Sequence, residues 1–253
     1  MVSVVIIGSG NVANHLISAF AKSDTVDVIQ VFARNPKTVS ALISPEKIVG
    51  SYPEITEADL YIVSVSDNSV ASVSQNLAFH NRLVVHTSGT IALTDLDARN
   101  RRGVCYPLQT FSKGKEVDFR LIPICLETEN EADYQLLETV AQSISDNVFR
   151  IDSGQRKALH VAAVFVNNFV NHLYHIGHTI CTENGIPFGI LQPLILETAA
   201  KIGSLTPKEA QTGPAARNDS QTINAHLSFL SDPDQKEIYK IITKSIIDNG
   251  KKL

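Results

Sequence analysis

Val2-Ser3-Val4-Val5-Ile6-Ile7-Gly8-Ser9-Gly10-Asn11-Val12-Ala13 is the stretch that decides the architecture. Its run of Val and Ile suits a strand buried on both faces. Gly8 then permits a tight turn, Gly10 lets the backbone approach a pyrophosphate, and Ala13 lets the next helix pack close to the strand. From Asn11 to Lys22, the apolar Val12, Leu16, Ala19 and Phe20 recur at helical spacing, and Val28 to Ala33 reads as a second strand. A helix N-terminus offers unpaired backbone N–H groups and positive potential to phosphate. Gly8, Ser9, Gly10, Asn11 and Val12 are therefore the expected cradle of a dinucleotide, the alternative being a Gly-rich turn without a ligand.

The end of the second strand bears on which dinucleotide. An NAD-selective fold places Asp or Glu there, about 20 residues past the glycines, to accept from the ribose 2′-hydroxyl. This chain has Ala33-Arg34-Asn35, with Lys37 close behind. An acid would repel a 2′-phosphate, whereas a guanidinium holds it with charge-assisted hydrogen bonds. NADP is the expected cofactor, with Ala33, Arg34 and Asn35 at its ribose; a surface arginine capping a loop is the competing reading.

Outward from this unit, Leu60 to Val65 and Leu83 to His86 continue the strand series, and Val104 to Leu108, Arg120 to Leu126 and Val148 to Ile151 extend it. An amphipathic helix, Ala132 to Ile144, separates the last two. Alternating strands and helices predict an α/β fold with a doubly wound parallel sheet. After Asp152 the pattern turns helical: Gln155 to about Thr182, Ile190 to Ile202, Asp219 to Leu230, and Asp234 to Asn249, with Gly and Pro punctuating the breaks. The expected organisation is a nucleotide-binding domain over 1–152 and an all-helical domain over 153–253. A helical domain of about a hundred residues buries roughly just under two-thirds of its unfolded surface, so it is expected to lean on the first domain or on a second chain.

Composition narrows the partners. The 253 residues are 43% hydrophobic and 19% charged, which excludes disorder and collagen-like architectures. A net charge of −4, without a basic block, argues against nucleic acid or an anionic membrane. The longest apolar run, Val161 to Val166, is far short of the roughly 18 residues that span a bilayer. Neither a basic flank nor a small-residue cleavage site marks the N-terminal strand, so a cytoplasmic protein with a small-molecule substrate is expected. Cys105, Cys125 and Cys181 lack metal-ligand or disulfide spacing and read as buried, reduced thiols.

Ligands in an open parallel sheet lie beyond the carboxyl ends of the strands. Ser64, Val65 and Ser66 after one strand, and Thr87 and Ser88 after the next, should therefore border the ribose and nicotinamide; His86 reads as a hydrogen-bonded core residue. In the helical half, His160 and Asn168 interrupt an otherwise apolar helix. A polar stripe there needs partners, which either a substrate cleft or neighbouring helices would supply. His160 is the candidate general acid or base, because an imidazole titrates near the working pH. Asn168 is the candidate substrate-orienting group. Arg217, in the loop Thr212 to Asp219, is the candidate clamp on an anionic substrate group. His172, His175 and His178 fan out along their helix and converge poorly on one ion, so no metal is expected.

Beyond the glycine motif, three stretches carry a resemblance: Tyr106-Pro107-Leu108-Gln109-Thr110-Phe111-Ser112, His160 through Phe169, and Thr212 through Asp219. The chain resembles NADP-binding oxidoreductases of the 6-phosphogluconate-dehydrogenase-like superfamily, and most of all a family joining a Rossmann-like domain to a C-terminal domain of unknown function. Pyrroline-5-carboxylate reductases, prephenate dehydrogenases and deazaflavin-dependent NADP reductases look similar over the first domain. Where the family often carries histidine, this chain has Tyr106. The Lys-and-Asn helix motif of β-hydroxyacid dehydrogenases is not reproduced, since Val161 stands four residues after Lys157. The resemblance implies a Rossmann fold with a helical dimerising domain. It also implies an NADP(H)-dependent hydride transfer to or from a carbonyl, imine or alcohol held between the domains. A non-catalytic NADP-binding sensor, or a silent dimerisation module, is the rival reading.

Overall fold

The computed structural model describes residues 1–250. β1 (Val2–Ile7), α1 (Asn11–Phe20) and β2 (Val26–Phe32) form the first βαβ unit. Val4, Val5, Ile6 and Ile7 are all fully buried, as a strand covered on both faces requires. On α1 the buried side chains are Ala13, Leu16, Ile17 and Phe20, the stripe of a helix laid on a sheet. The sheet continues through β3 (Ile48–Val49), β4 (Leu60–Val63), β5 (Leu83–His86), β6 (Arg101–Pro107), β7 (Ile124–Thr128) and β8 (Val148–Arg150). The short α2 (Val70–Gln75) follows β4, and α3 (Glu131–Gln142) joins β7 to β8. Strand order is 3-2-1-4-5-6-7-8. Because β1 pairs in parallel with both β2 and β4, the winding reverses at β1, and a crevice opens beyond the carboxyl ends of β1 and β4.

One pair departs from the all-parallel expectation: β6 and β7 run antiparallel. The chain between them holds only the 3₁₀ turn Phe119–Leu121, and strands joined without a crossover helix return antiparallel. That turn also delays the seventh strand relative to the predicted start at Arg120. Asp118 caps it by accepting from the Arg120 N–H at 3.0 Å, and the strand itself begins at Ile124.

The chain divides into two compact units, Met1–Val164 and Phe165–Leu253. α4 (Ser153–Ala163) belongs to the first. Its N-terminus is a reciprocal cap, with Asp152 accepting from the Gln155 N–H at 2.7 Å and Gln155 accepting from the Asp152 N–H at 3.0 Å. A π-helical stretch, Val164–Phe169, leads into α5 (Val170–Glu183). The long helix expected from Gln155 is thus present, with its register widened midway. The second unit adds α6 (Gln192–Lys201), α7 (Ser220–Phe229) and α8 (Pro233–Gly250). Among its described residues the buried apolar side chains are Cys181, Ala215 and Leu230, whereas Phe165, Val166, Ile190, Leu194 and Leu196 are exposed. No helix among the described residues is long and apolar enough to cross a membrane.

Candidate functional site

Beyond the ends of β1, β4 and β5 lies a cleft of about 770 Å³, within the roughly 300–1,000 Å³ of small-molecule sites. It is lined by Gly8, Ser9, Gly10, Asn11, Val12, Ala33, Arg34, Ser64, Val65, Ser66, Thr87 and Ser88, so the residues named from the glycine motif and the strand ends converge. Asn35 is the exception: its carboxamide accepts from the Lys37 N–H at 3.2 Å and caps the turn Pro36–Thr38.

The cradle fits a dinucleotide on three counts. Gly8 has φ +136°, and a Cβ there would stand 2.0 Å from the Ser64 carbonyl oxygen, so no other residue brings the turn this close to β4. At Gly10 a Cβ would meet nothing within 4 Å, leaving the space over the helix start open. The first turn of α1 has neither a side-chain cap nor an acidic residue, so its N–H groups are offered to an anion. At the rim, exposed Arg34 makes no ion pair with any described residue. Asn11 also serves the wall. Its Nδ2 donates to the Phe111 carbonyl at 3.0 Å, drawing the loop after β6 against α1, and Phe111 and Gln109 join the lining.

The turns after β4 and β5 are tied to each other. Thr90 Oγ1 donates to Asp67 Oδ2 at 2.6 Å, and Thr87 Oγ1 donates to Ser64 Oγ at 3.3 Å. Within the second turn, Ser88 Oγ accepts from the N–H groups of Thr90 and Ile91, both at 3.1 Å. The Ser88 N–H donates to His86 Nδ1 at 3.1 Å. Burial, aided by the nearby Arg156 guanidinium, pushes the pKa of His86 down to about 4. It is therefore a neutral structural group at neutral pH.

At the inner end of the cleft, Tyr106 from β6 meets His160 from α4, Tyr Oη to Nδ1 at 3.0 Å, with the rings edge to face. Burial raises the Tyr106 pKa, which favours its protonated, hydrogen-bonding form. Gly89 runs across this pair: a Cβ there would lie 2.4 Å from His160 Nδ1 and 2.9 Å from Tyr106 Cζ. Behind it, Arg156 is 1% exposed and ion-paired to Glu127 at 3.1 Å.

Sequence reasoning named His160 but missed Tyr106 as its partner, and it missed Gly89 and Arg156. A signal for Arg156 was available, since it stands four residues before His160 and so on the same helix face. Asn168 and Arg217 are exposed residues of the second unit and are not among those lining the cleft. Among the described residues, no group of three His, Cys, Asp or Glu side chains is arranged to hold a metal.

Comparison with known proteins gives two family matches. Residues 3–89 match "NADP oxidoreductase coenzyme F420-dependent", and residues 122–246 match a domain of unknown function, DUF2520. No curated protein matches the chain. Among solved structures it is similar to a candidate NADP oxidoreductase from Bacteroides fragilis, at 38% identity and TM-score 0.87, covering 98% of each chain. It also resembles a reductive aminase from Aspergillus terreus solved with NADPH and ethyl levulinate, at 17% identity and TM-score 0.68, over 98% of this chain and 94% of that one. A third similar structure is 1-pyrroline-5-carboxylate reductase from Streptococcus pyogenes, at 14% identity and TM-score 0.64, over 100% and 99%. At such identities the last two speak to the fold alone.

Proposed function

Since the chain belongs to the NADP oxidoreductases that join a nucleotide-binding domain to a DUF2520 domain, we propose that it transfers hydride between NADP(H) and a small carbonyl, imine or alcohol. The observation that carries this reading is one cleft holding both the glycine cradle and the Tyr106–His160 pair. When bound, the nicotinamide supplies or accepts the hydride. The main chain of Gly8 to Val12 holds the pyrophosphate, and Arg34 the 2′-phosphate. Ser66, Thr87 and Ser88 border the nicotinamide end.

His160 handles the proton that accompanies hydride transfer. A neutral imidazole has one N–H, so with Tyr106 donating to Nδ1 the ring keeps its proton on Nε2 and its orientation is fixed. From the sequence pattern we assign substrate orientation to Asn168 and anion binding to Arg217. The exposed apolar side chains of the second unit, together with an apolar cavity of about 510 Å³ lined by Leu173, Ile176, Phe229 and Ile242, support self-association into a homodimer.

The test is NADPH oxidation across a panel of ketones, keto acids and cyclic imines. One class turns over, and His160→Gln lowers kcat by about 10²-fold or more while NADPH still binds. Asn168→Ala and Arg217→Ala raise KM for the same substrate. NADPH binding with no turnover of any class, or full kcat in His160→Gln, would overturn the reading.

A further inference from the structure

We propose that Arg156 is the positioning residue of the site, a buried fork that sets where the turn carrying Gly89 lies against the Tyr106–His160 pair; this rests on reading that pair as the proton-handling group. The guanidinium makes four hydrogen bonds. Nη1 donates to the Ser88 carbonyl at 3.0 Å and to the Ile91 carbonyl at 2.7 Å. Nη2 donates to Glu127 Oε2 at 3.1 Å and to Ser153 Oγ at 3.0 Å. One planar group thereby joins three separate elements: the turn after β5, strand β7 and the first turn of α4.

Two features separate this from an ordinary buried ion pair. The carbonyls held are those of residues 88 and 91, which bracket Gly89, the residue with no room for a side chain beside His160 and Tyr106. Arg156 also lies one helical turn before His160 on α4, so the helix that carries the imidazole and the turn that walls it are fixed by the same side chain. Its fixed fork geometry serves this where a lysine's single ammonium would not. The charge reaches the pair as well: Arg156 acts to lower the Tyr106 pKa against the larger effect of burial. A pair kept for stability alone tolerates replacement by apolar residues of similar volume; a positioning residue does not.

The test reads the imidazole directly. The full chain, ¹⁵N-labelled at histidine and saturated with NADPH, is examined by NMR, with the His160 ring resonances assigned through their loss in His160→Gln. Tyr106→Phe marks where they fall once the hydroxyl is gone. In Arg156→Lys, and in the double variant Arg156→Met with Glu127→Leu, the His160 Nδ1 resonance is expected to move toward the Tyr106→Phe position. Both variants still bind NADPH, because the phosphate cradle of Gly8 to Val12 is untouched. A folded Arg156→Lys with an unchanged His160 resonance overturns the proposal. Should that variant not fold, Glu127→Gln is read by the same two outcomes. If Tyr106→Phe itself leaves the resonance in place, the pair is not formed, and it is the underlying reading of the site that falls, taking this proposal with it.

Discussion

At the scale of single residues, the cleft depends on positions where one alternative atom is too many. Gly8 was legible in the sequence because the motif itself states the turn. Gly89 was not, since its constraint comes from Tyr106 and His160 far along the chain. Arg34 was legible from the missing acid. Arg156 was legible only by its place four residues before His160; three of its four partners, Ser88, Ile91 and Glu127, are distant in sequence. His86 makes a pH-dependent contribution with a definite sign. Its pKa falls from 6.5 to about 4 on folding, so between those values the unfolded chain binds a proton that the native state refuses. The stability from neutral His86 is complete above about pH 6.5 and is lost as pH falls toward 4, worth about 3 kcal/mol in all. Urea unfolding from pH 7 to 4 is expected to show this loss, and His86→Gln to flatten the slope. An unchanged slope in a folded His86→Gln would contradict the assignment.

Among the elements, patterning reached those whose faces are buried by the sheet. The predicted spans of β1 and β5 match the observed ones, and α1 and α3 differ from expectation only near their ends. The two-residue β3 and the six-residue α2 were too short for periodicity to register. The antiparallel return at β7 was invisible because residue pattern does not encode strand direction. The path of the loop after β6, whose start was marked only by the resemblance of Tyr106 to Ser112, was equally unreadable, although the loop walls the cleft. It is pinned by Asn11 and by His15, whose ring nitrogens lie 2.7 Å from the Asn11 carbonyl and 2.9 Å from the Lys115 carbonyl, while its ring packs on Phe111 at 5.0 Å. His15→Ala is expected to release the loop, raising tryptic cleavage at Lys113 and Lys115 by about tenfold without loss of the global fold. Parent-like cleavage would show that the pin carries no weight.

On the scale of the whole molecule, the first unit closes its own core, whereas the second leaves large apolar side chains such as Leu194 and Leu196 at the surface. The proposed homodimer makes a concentration-dependent melting temperature the expected behaviour. Leu194→Asp should weaken association by about tenfold or more in sedimentation; a monomer at micromolar concentration in the parent chain would refute it. Family membership and the glycine cradle together make cofactor choice the central claim, and titration calorimetry with NADPH and NADH tests it most directly. NADPH is expected to bind at least about tenfold more tightly than NADH, and Arg34→Ala to remove most of that preference by weakening NADPH alone. Heat from neither nucleotide, or tighter binding of NADH, would contradict the account.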